Sequence, residues 1–246
     1  MLDRVFPEAV PDISATAAAL ADLSRAAMCA ALMDGRAWTV GELGSYAGLA
    51  RSTASEHVDV LIAGDIVTEV RQGRHRYITL ADEEIARVIE SLGIVARSTL
   101  ATPHSLSAWK TNENIREGRT CYRHLAGRLG VAITERLHDR EFLDPSGQPT
   151  RRGRTLFTDW GIPDTALETA TSCMDSTERR FHLAGPLGTG ICTTLFANNW
   201  IARIGATRAV RLTHAGQAAL ACEGLALTAV ESSYGNRHVL APASSS

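Results

Sequence analysis

Between Thr39 and Leu80 the hydrophobic period changes from that of a helix to that of a strand. Thr39 followed three residues later by Glu42 is a capping-box pair and starts one helix. Gly48 ends it, because glycine takes the left-handed conformation of a helix stop without steric cost. A second helix follows at once over 51–63, with Ala54, Val58, Leu61 and Ile62 on one face. After Gly64 and Asp65, the runs 66–70 and 75–80 are β-rich and are joined by Arg71-Gln72-Gly73-Arg74, a hairpin turn with glycine where positive φ is tolerated.

The flanking segments extend this pattern. The spacing predicts helices over 13–22 and 25–33 before it and a helix over 82–96 after it, the last with Ile85, Val88, Ile89 and Leu92 as a buried stripe. The order helix, helix, helix-turn-helix, β-wing, helix is a winged helix-turn-helix. The first domain is expected to span 1–96, with a polar connection over 97–119 punctuated by Pro103, Ser105, Asn112 and Asn114.

From residue 120 to 246 the sequence predicts a second domain built by duplication. His124-Leu125-Ala126-Gly127-Arg128-Leu129-Gly130 recurs as His182-Leu183-Ala184-Gly185-Pro186-Leu187-Gly188. Farther on, Thr150-Arg151-Arg152-Gly153 recurs as Thr213-His214-Ala215-Gly216, preceded in the second copy by the strand-like Ala209-Val210-Arg211-Leu212 and in the first by the polar turn Asp144-Pro145-Ser146-Gly147. The predicted fold class is mainly α with small β-wings: a winged helix-turn-helix plus a C-terminal duplicated helix-turn-helix-like domain.

The stretch from Thr39 to Val67, with Gly48-Leu49-Ala50-Arg51-Ser52-Thr53-Ala54-Ser55-Glu56-His57-Val58 at its centre, resembles the ArsR/SmtB (arsenic-repressor) family of winged-helix regulators. The resemblance covers about residues 12–96. It implies that the helix from Arg51 enters the DNA major groove, with Ser52, Thr53, Ser55 and His57 at the positions that face DNA. It also implies a homodimer held by the first helix and the helix after the wing, and a repressor.

The residues point the same way on their own chemistry. Arg51, Ser52, Ser55, Glu56 and Asp59 lie opposite the apolar stripe, and short hydroxyls and an arginine near a helix start can reach phosphates or base edges. The net charge of −2 is no general polyanion-binding surface, so the clustering of Arg71, Arg74, His75 and Arg76 in the wing carries the electrostatic case. Glu56 departs from what a DNA-facing helix would favour.

The family's usual metal site, paired cysteines at the start of the third helix, is absent from 39–46. Cys121 and His124, expected on one helix face, and Cys173 and His182, before the second copy of the repeat, are an alternative set for zinc or a related transition-metal ion. Their spacing fits no standard structural-zinc pattern. The same four also read as equivalent core histidines with buried cysteines, or as redox thiols. Cys29, Cys192 and Cys222 fall among apolar residues and are expected in the core. Trp109, Tyr122, Trp160 and Trp200 read as core anchors or as the lining of an organic-ligand pocket.

No phosphate-binding, nucleophile-elbow or His-Glu-x-x-His motif is present, so the chain is not expected to be an enzyme. The apolar stretch 17–33 is interrupted by Asp22 and Arg25, and 1–11 carries acids and prolines, so no membrane span or signal peptide is expected and the chain is assigned to the cytoplasm. The functional expectation is a sequence-specific, double-stranded-DNA-binding regulator responding to a ligand or metal. The alternative is a regulator controlled by a protein partner or by thiol oxidation.

Overall fold

The computed structural model describes residues 11–96, 106–205 and 207–227, with side chains in the second stretch from residue 110 onward. Residues 97–105 of the connection expected after residue 96, and the side chain of Trp109, lie outside the described residues, whereas 106–117 of that expected connection form a helix. The described residues are mostly helical with small antiparallel hairpins and form two compact units, one comprising 11–32 with 37–85, the other 33–36 with the described residues from 86 to 227.

The first unit holds α1 (Ser14–Leu20), α2 (Leu23–Leu32), β1 (Trp38–Thr39), α3 (Val40–Ala47), α4 (Arg51–Ala63), β2 (Val67–Gln72) and β3 (His75–Leu80). The capping box at α3 is complete: the Glu42 amide donates to the Thr39 hydroxyl, and the Thr39 amide donates to the Glu42 carboxylate at 2.7 Å. Gly48 closes α3 at φ 70°. A Cβ on Gly44 would lie 2.9 Å from the Cβ of Ala54, so this glycine sets how closely α3 and α4 approach. The hairpin gains a third strand that the sequence did not announce, since Trp38 pairs with Ile78 and Thr39 with Tyr77, giving the order β1-β3-β2. Met28, Leu43, Val58, Leu61, Ile66 and Ile78 are fully buried beneath these elements. Each such side chain contributes about 1.5–3 kcal/mol.

Helix α5 (Glu83–Val95) begins in the first unit and continues into the second. Its buried stripe is not the expected one: Val88 and Leu92 are 42% and 49% exposed, whereas Ala86 and Glu90 are buried. The cause is a buried arginine, Arg119, which holds Glu90 inward at 3.0 Å. The second unit continues with α6 (Leu106–Glu117), β4 (Arg119–Cys121), β5 (His124–Ala126), α7 (Gly127–Asp139) and α8 (Arg151–Asp159). It is completed by β6 (Thr171–Met174), β7 (Phe181–Ala184), α9 (Gly185–Ala197), β8 (Ile201–Arg203), β9 (Val210–Leu212) and α10 (His214–Cys222).

The two copies of the sequence repeat carry the same local geometry. In each, a two-stranded hairpin runs through an extended alanine, Ala126 or Ala184, into a glycine at φ 74° or 65° that opens a helix. Glu141 and Asn199 both adopt left-handed φ, 58° and 55°, after that helix. Thr150 and Thr213 both cap the following helix and donate their hydroxyls to the carbonyls of Glu141 and Asn199 at 2.7 Å. A Cβ on Gly153 or Gly216 would come within 1.9 or 2.1 Å of the carbonyl oxygen of Phe142 or Trp200, so both turns require glycine. The copies differ between their helices, where β8 and β9 pair in the second but the first has only the bridge Leu143 to Pro149 around the Asp144 turn. Leu129, Leu137, Phe157, Leu187, Leu195 and Leu220 belong to one core shared by both copies.

Trp160 and Trp200 meet edge to face at 5.4 Å and pack in or against this core, as anchors. Cys29 and Cys192 are buried as expected, but Cys222 is exposed, because α10 turns Gly216 and Leu220 inward. No single helix among the described residues is long and apolar enough to cross a membrane.

A candidate nucleic-acid interface and a candidate metal centre

Helix α4 and the β2–β3 hairpin carry the residues expected to face DNA. Arg51 and Ser52 are exposed at the start of α4, Glu56 and Asp59 lie exposed farther along, and Thr53 and Ser55 are half-buried. Arg74 and His75 are exposed at the wing tip, and Arg71, also exposed, pairs with Glu69 at 2.6 Å. Arg76 is committed elsewhere. It pairs with Glu69, reaches Asp59 at 2.6 Å and donates to the Ser55 hydroxyl at 2.9 Å, which ties the wing to α4. His57 turns away from the α4 surface, with Nδ1 at 3.6 Å from Asp22 and 3.5 Å from an Arg25 nitrogen. Of the eight residues the sequence singles out here, Arg51, Ser52, Arg71 and Arg74 stand exposed, whereas Ser55, His57 and Arg76 are engaged within the protein and Thr53 is half-buried. This is the surface of a winged helix-turn-helix: a capped helix, a glycine turn, a second helix with a polar outer face, and a basic hairpin.

In the second unit, Cys121 and His124 do not share a helix face. They lie on β4 and β5, directly paired across the strands, and Cys173 pairs with His182 across β6 and β7 in the same way. Tyr122, at φ 59°, makes the tight turn of the first hairpin possible, and no residue type in Tyr122-Arg123 signals that conformation. The two hairpins bring all four side chains together: their ligand atoms lie within 4.8 Å of one another, and all four residues are buried. The imidazole centroids are 5.0 Å apart. Nε2 of His124 and both ring nitrogens of His182 are buried without a hydrogen-bond partner. Leaving such a group unsatisfied costs about 1–3 kcal/mol. The neighbouring Cys173 sulfur and burial push the Cys121 thiol up to about 12, against the opposing pull of the two imidazoles.

The loop of the second hairpin surrounds this cluster with charge. Asp175 is fully buried; its Oδ1 accepts from the Thr177 amide and hydroxyl and from the Glu178 amide at 2.7–2.9 Å. Its Oδ2 accepts from the Gly127 amide at 2.7 Å, meets Arg119 Nη2 at 3.0 Å and faces His182 Nδ1 at 3.7 Å. Burial alone would raise the Asp175 pKa, but the Arg119 guanidinium and these hydrogen bonds hold it well below the usual carboxylate range. Arg119 is itself fully buried and also bonds Glu90 on α5. Sequence reasoning missed Arg119, Asp175 and Glu90, since nothing local marks three charges for burial.

No family model matches the chain. It is 35% identical over 217 residues to the uncharacterized HTH-type transcriptional regulator YdfF of Bacillus subtilis strain 168, an alignment covering 85% of this chain and 95% of that protein. The chain therefore belongs to the helix-turn-helix transcriptional regulators, which bind DNA. Among solved structures it is similar to NolR from Sinorhizobium fredii, at 18% identity and a TM-score of 0.33 over 37% of this chain and 99% of that one. It is also similar to the cadmium metal-sensor CMTR from Mycobacterium tuberculosis, at 32% identity and a TM-score of 0.30 over 38% of this chain and 98% of that one.

Proposed function

We propose that the chain is a sequence-specific transcriptional repressor of the ArsR/SmtB type that acts as a homodimer, reads DNA with α4 and the β2–β3 wing, and senses an effector with the residues that follow α5. The observation that carries this reading is the lock between wing and helix: Arg76 ties β3 to Asp59 and Ser55 of α4. Arg51 and Ser52 at the start of α4 and Arg74 at the wing tip are exposed on the two elements it joins, which supports reading them as DNA contacts. Arg51 suits a guanine edge or a phosphate near the N-terminus of α4, whereas Arg71 and Arg74 suit the backbone. Dimerisation is favoured by the apolar residues left outside: Ile13 before α1, and Val88, Leu92 and Val95 along α5, which are 42–73% exposed. A two-fold axis would set two α4 helices about one turn of DNA apart.

The test is binding of the full chain and two variants to the DNA upstream of its own gene, followed by fluorescence anisotropy at several salt concentrations. Arg51→Ala is expected to cost about 1–3 kcal/mol and to relax sequence preference. Arg74→Ala is expected to weaken specific and non-specific binding alike and to lower the salt slope by about 1. Wild-type affinity in both variants would refute the assignment of this surface.

A further inference from the structure

We propose that Cys121, His124, Cys173 and His182 are the four ligands of one tetrahedral ion of the zinc class, and that this ion is the effector of the regulator proposed above; the second half of the proposal rests on that reading. The site is built by the duplication itself, because each copy contributes one cysteine and one histidine paired across its hairpin. Zinc-class bonds of about 2.0–2.3 Å in a tetrahedron set ligand atoms about 3.3–3.8 Å apart. The present separations, up to 4.8 Å, need only side-chain closure toward a common centre. The donor set of two sulfurs and two nitrogens suits zinc, cobalt or cadmium and not the oxygen-seeking magnesium, calcium or manganese.

Coordination answers what the cluster otherwise leaves open. Three ring nitrogens lack partners, and an ion gives each histidine one. On binding, the divalent cation forms two metal–sulfur bonds, the two thiol protons leave to solvent, and both imidazoles bind as neutral rings. The centre is then formally uncharged, the state a buried site tolerates. Asp175 faces His182 Nδ1 and is itself held by Arg119 and the Gly127 amide, the arrangement in which a carboxylate orients a ligand histidine from behind. Arg119 continues the chain of contacts to Glu90, so the centre is connected to α5 by two ion pairs. Helix α5 also carries the exposed Val88 and Leu92 of the dimer surface suggested above.

The experiment uses the full chain, stripped with chelator, kept reduced and titrated anaerobically with cobalt(II). One equivalent is expected to give the intense visible bands of tetrahedral cobalt together with thiolate-to-cobalt charge transfer, and zinc should displace it stoichiometrically. Asp175→Asn should keep that spectrum while weakening binding about 10–100-fold. Because Cys173→Ala could unfold the hairpins, His124→Cys serves as the second variant. It should still bind one equivalent, with stronger sulfur charge transfer. Absence of saturable binding, or only the weak bands of six-coordinate cobalt, overturns the site. DNA anisotropy with and without one equivalent of zinc reads the effector half, with a change of about 5–150-fold expected. An unchanged DNA affinity in a protein that binds cobalt tetrahedrally overturns that half and leaves a structural ion. A protein that binds no DNA in either state refutes the regulator reading, while the cobalt spectrum still decides the site.

Discussion

Asp175→Asn tests the buried charge network of the second unit. The wild-type carboxylate accepts three hydrogen bonds at Oδ1, from Thr177 twice and Glu178, and at Oδ2 accepts from Gly127 and meets Arg119. An asparagine keeps one oxygen. In either orientation its amide nitrogen must face groups that are themselves donors, so two or more buried bonds are lost. Arg119, with no exposure, retains Glu90 but loses half its compensating charge. Breaking a buried pair from one side costs about 3–5 kcal/mol, a large share of the roughly 5–15 kcal/mol by which a domain is stable. The assay is urea unfolding in chelator, followed by tryptophan emission, with Trp160 and Trp200 reporting from the second unit. The effect should depend on pH with a definite sign. Asp175 is held below its ordinary pKa, so its contribution is fully present above about pH 4 and is lost as pH falls toward the folded value. The gap between wild type and variant should therefore narrow in acid. A loss under about 1 kcal/mol at pH 7, or a gap that widens as pH falls, would refute the network as a source of stability.

Two further outcomes follow from the geometry. Gly216→Ala should destabilise the second unit by more than the ordinary propensity difference, because its Cβ would meet the Trp200 carbonyl oxygen at 2.1 Å; a stability equal to wild type in the same urea titration would contradict the turn. Leu92→Glu, at a side chain 49% exposed on α5, should leave the fold intact by circular dichroism but shift the protein to monomer in sedimentation, and a dimer unaffected by it would remove α5 from the interface.

The helix-turn-helix and the hairpin of the first unit were legible because their signals lie close by in the sequence. Thr39 and Glu42 cap within one turn, Gly48 stops the same helix, and Gly73 turns the hairpin. What escaped depends on partners far along the chain. Glu90 is held inward by Arg119 and the Ser176 amide, and of the expected α5 stripe Val88 and Leu92 face out while Ile85 and Ile89 are half-buried. Arg76 reads as a DNA contact until Asp59 and Ser55 are seen to hold it. Cys121 and His124 have the spacing of a helix face, but a left-handed Tyr122 folds them into a hairpin of three-residue strands, too short to show a period. The recurrence of His-Leu-Ala-Gly and Thr-x-x-Gly, by contrast, was legible, because those residues meet the same local backbone demands at both places.

Whether α4 and the wing of two protomers read a specific sequence together is decided by selecting binders of the full chain from randomised duplex DNA. The predicted result is an inverted repeat with half-sites about 10 base pairs apart, bound at least about 1,000-fold more tightly than random DNA. With Arg51→Ala the same selection should lose preference at one position in each half-site. Selection that enriches no sequence, or one that returns the same repeat from Arg51→Ala as from wild type, would contradict paired reading of a specific sequence.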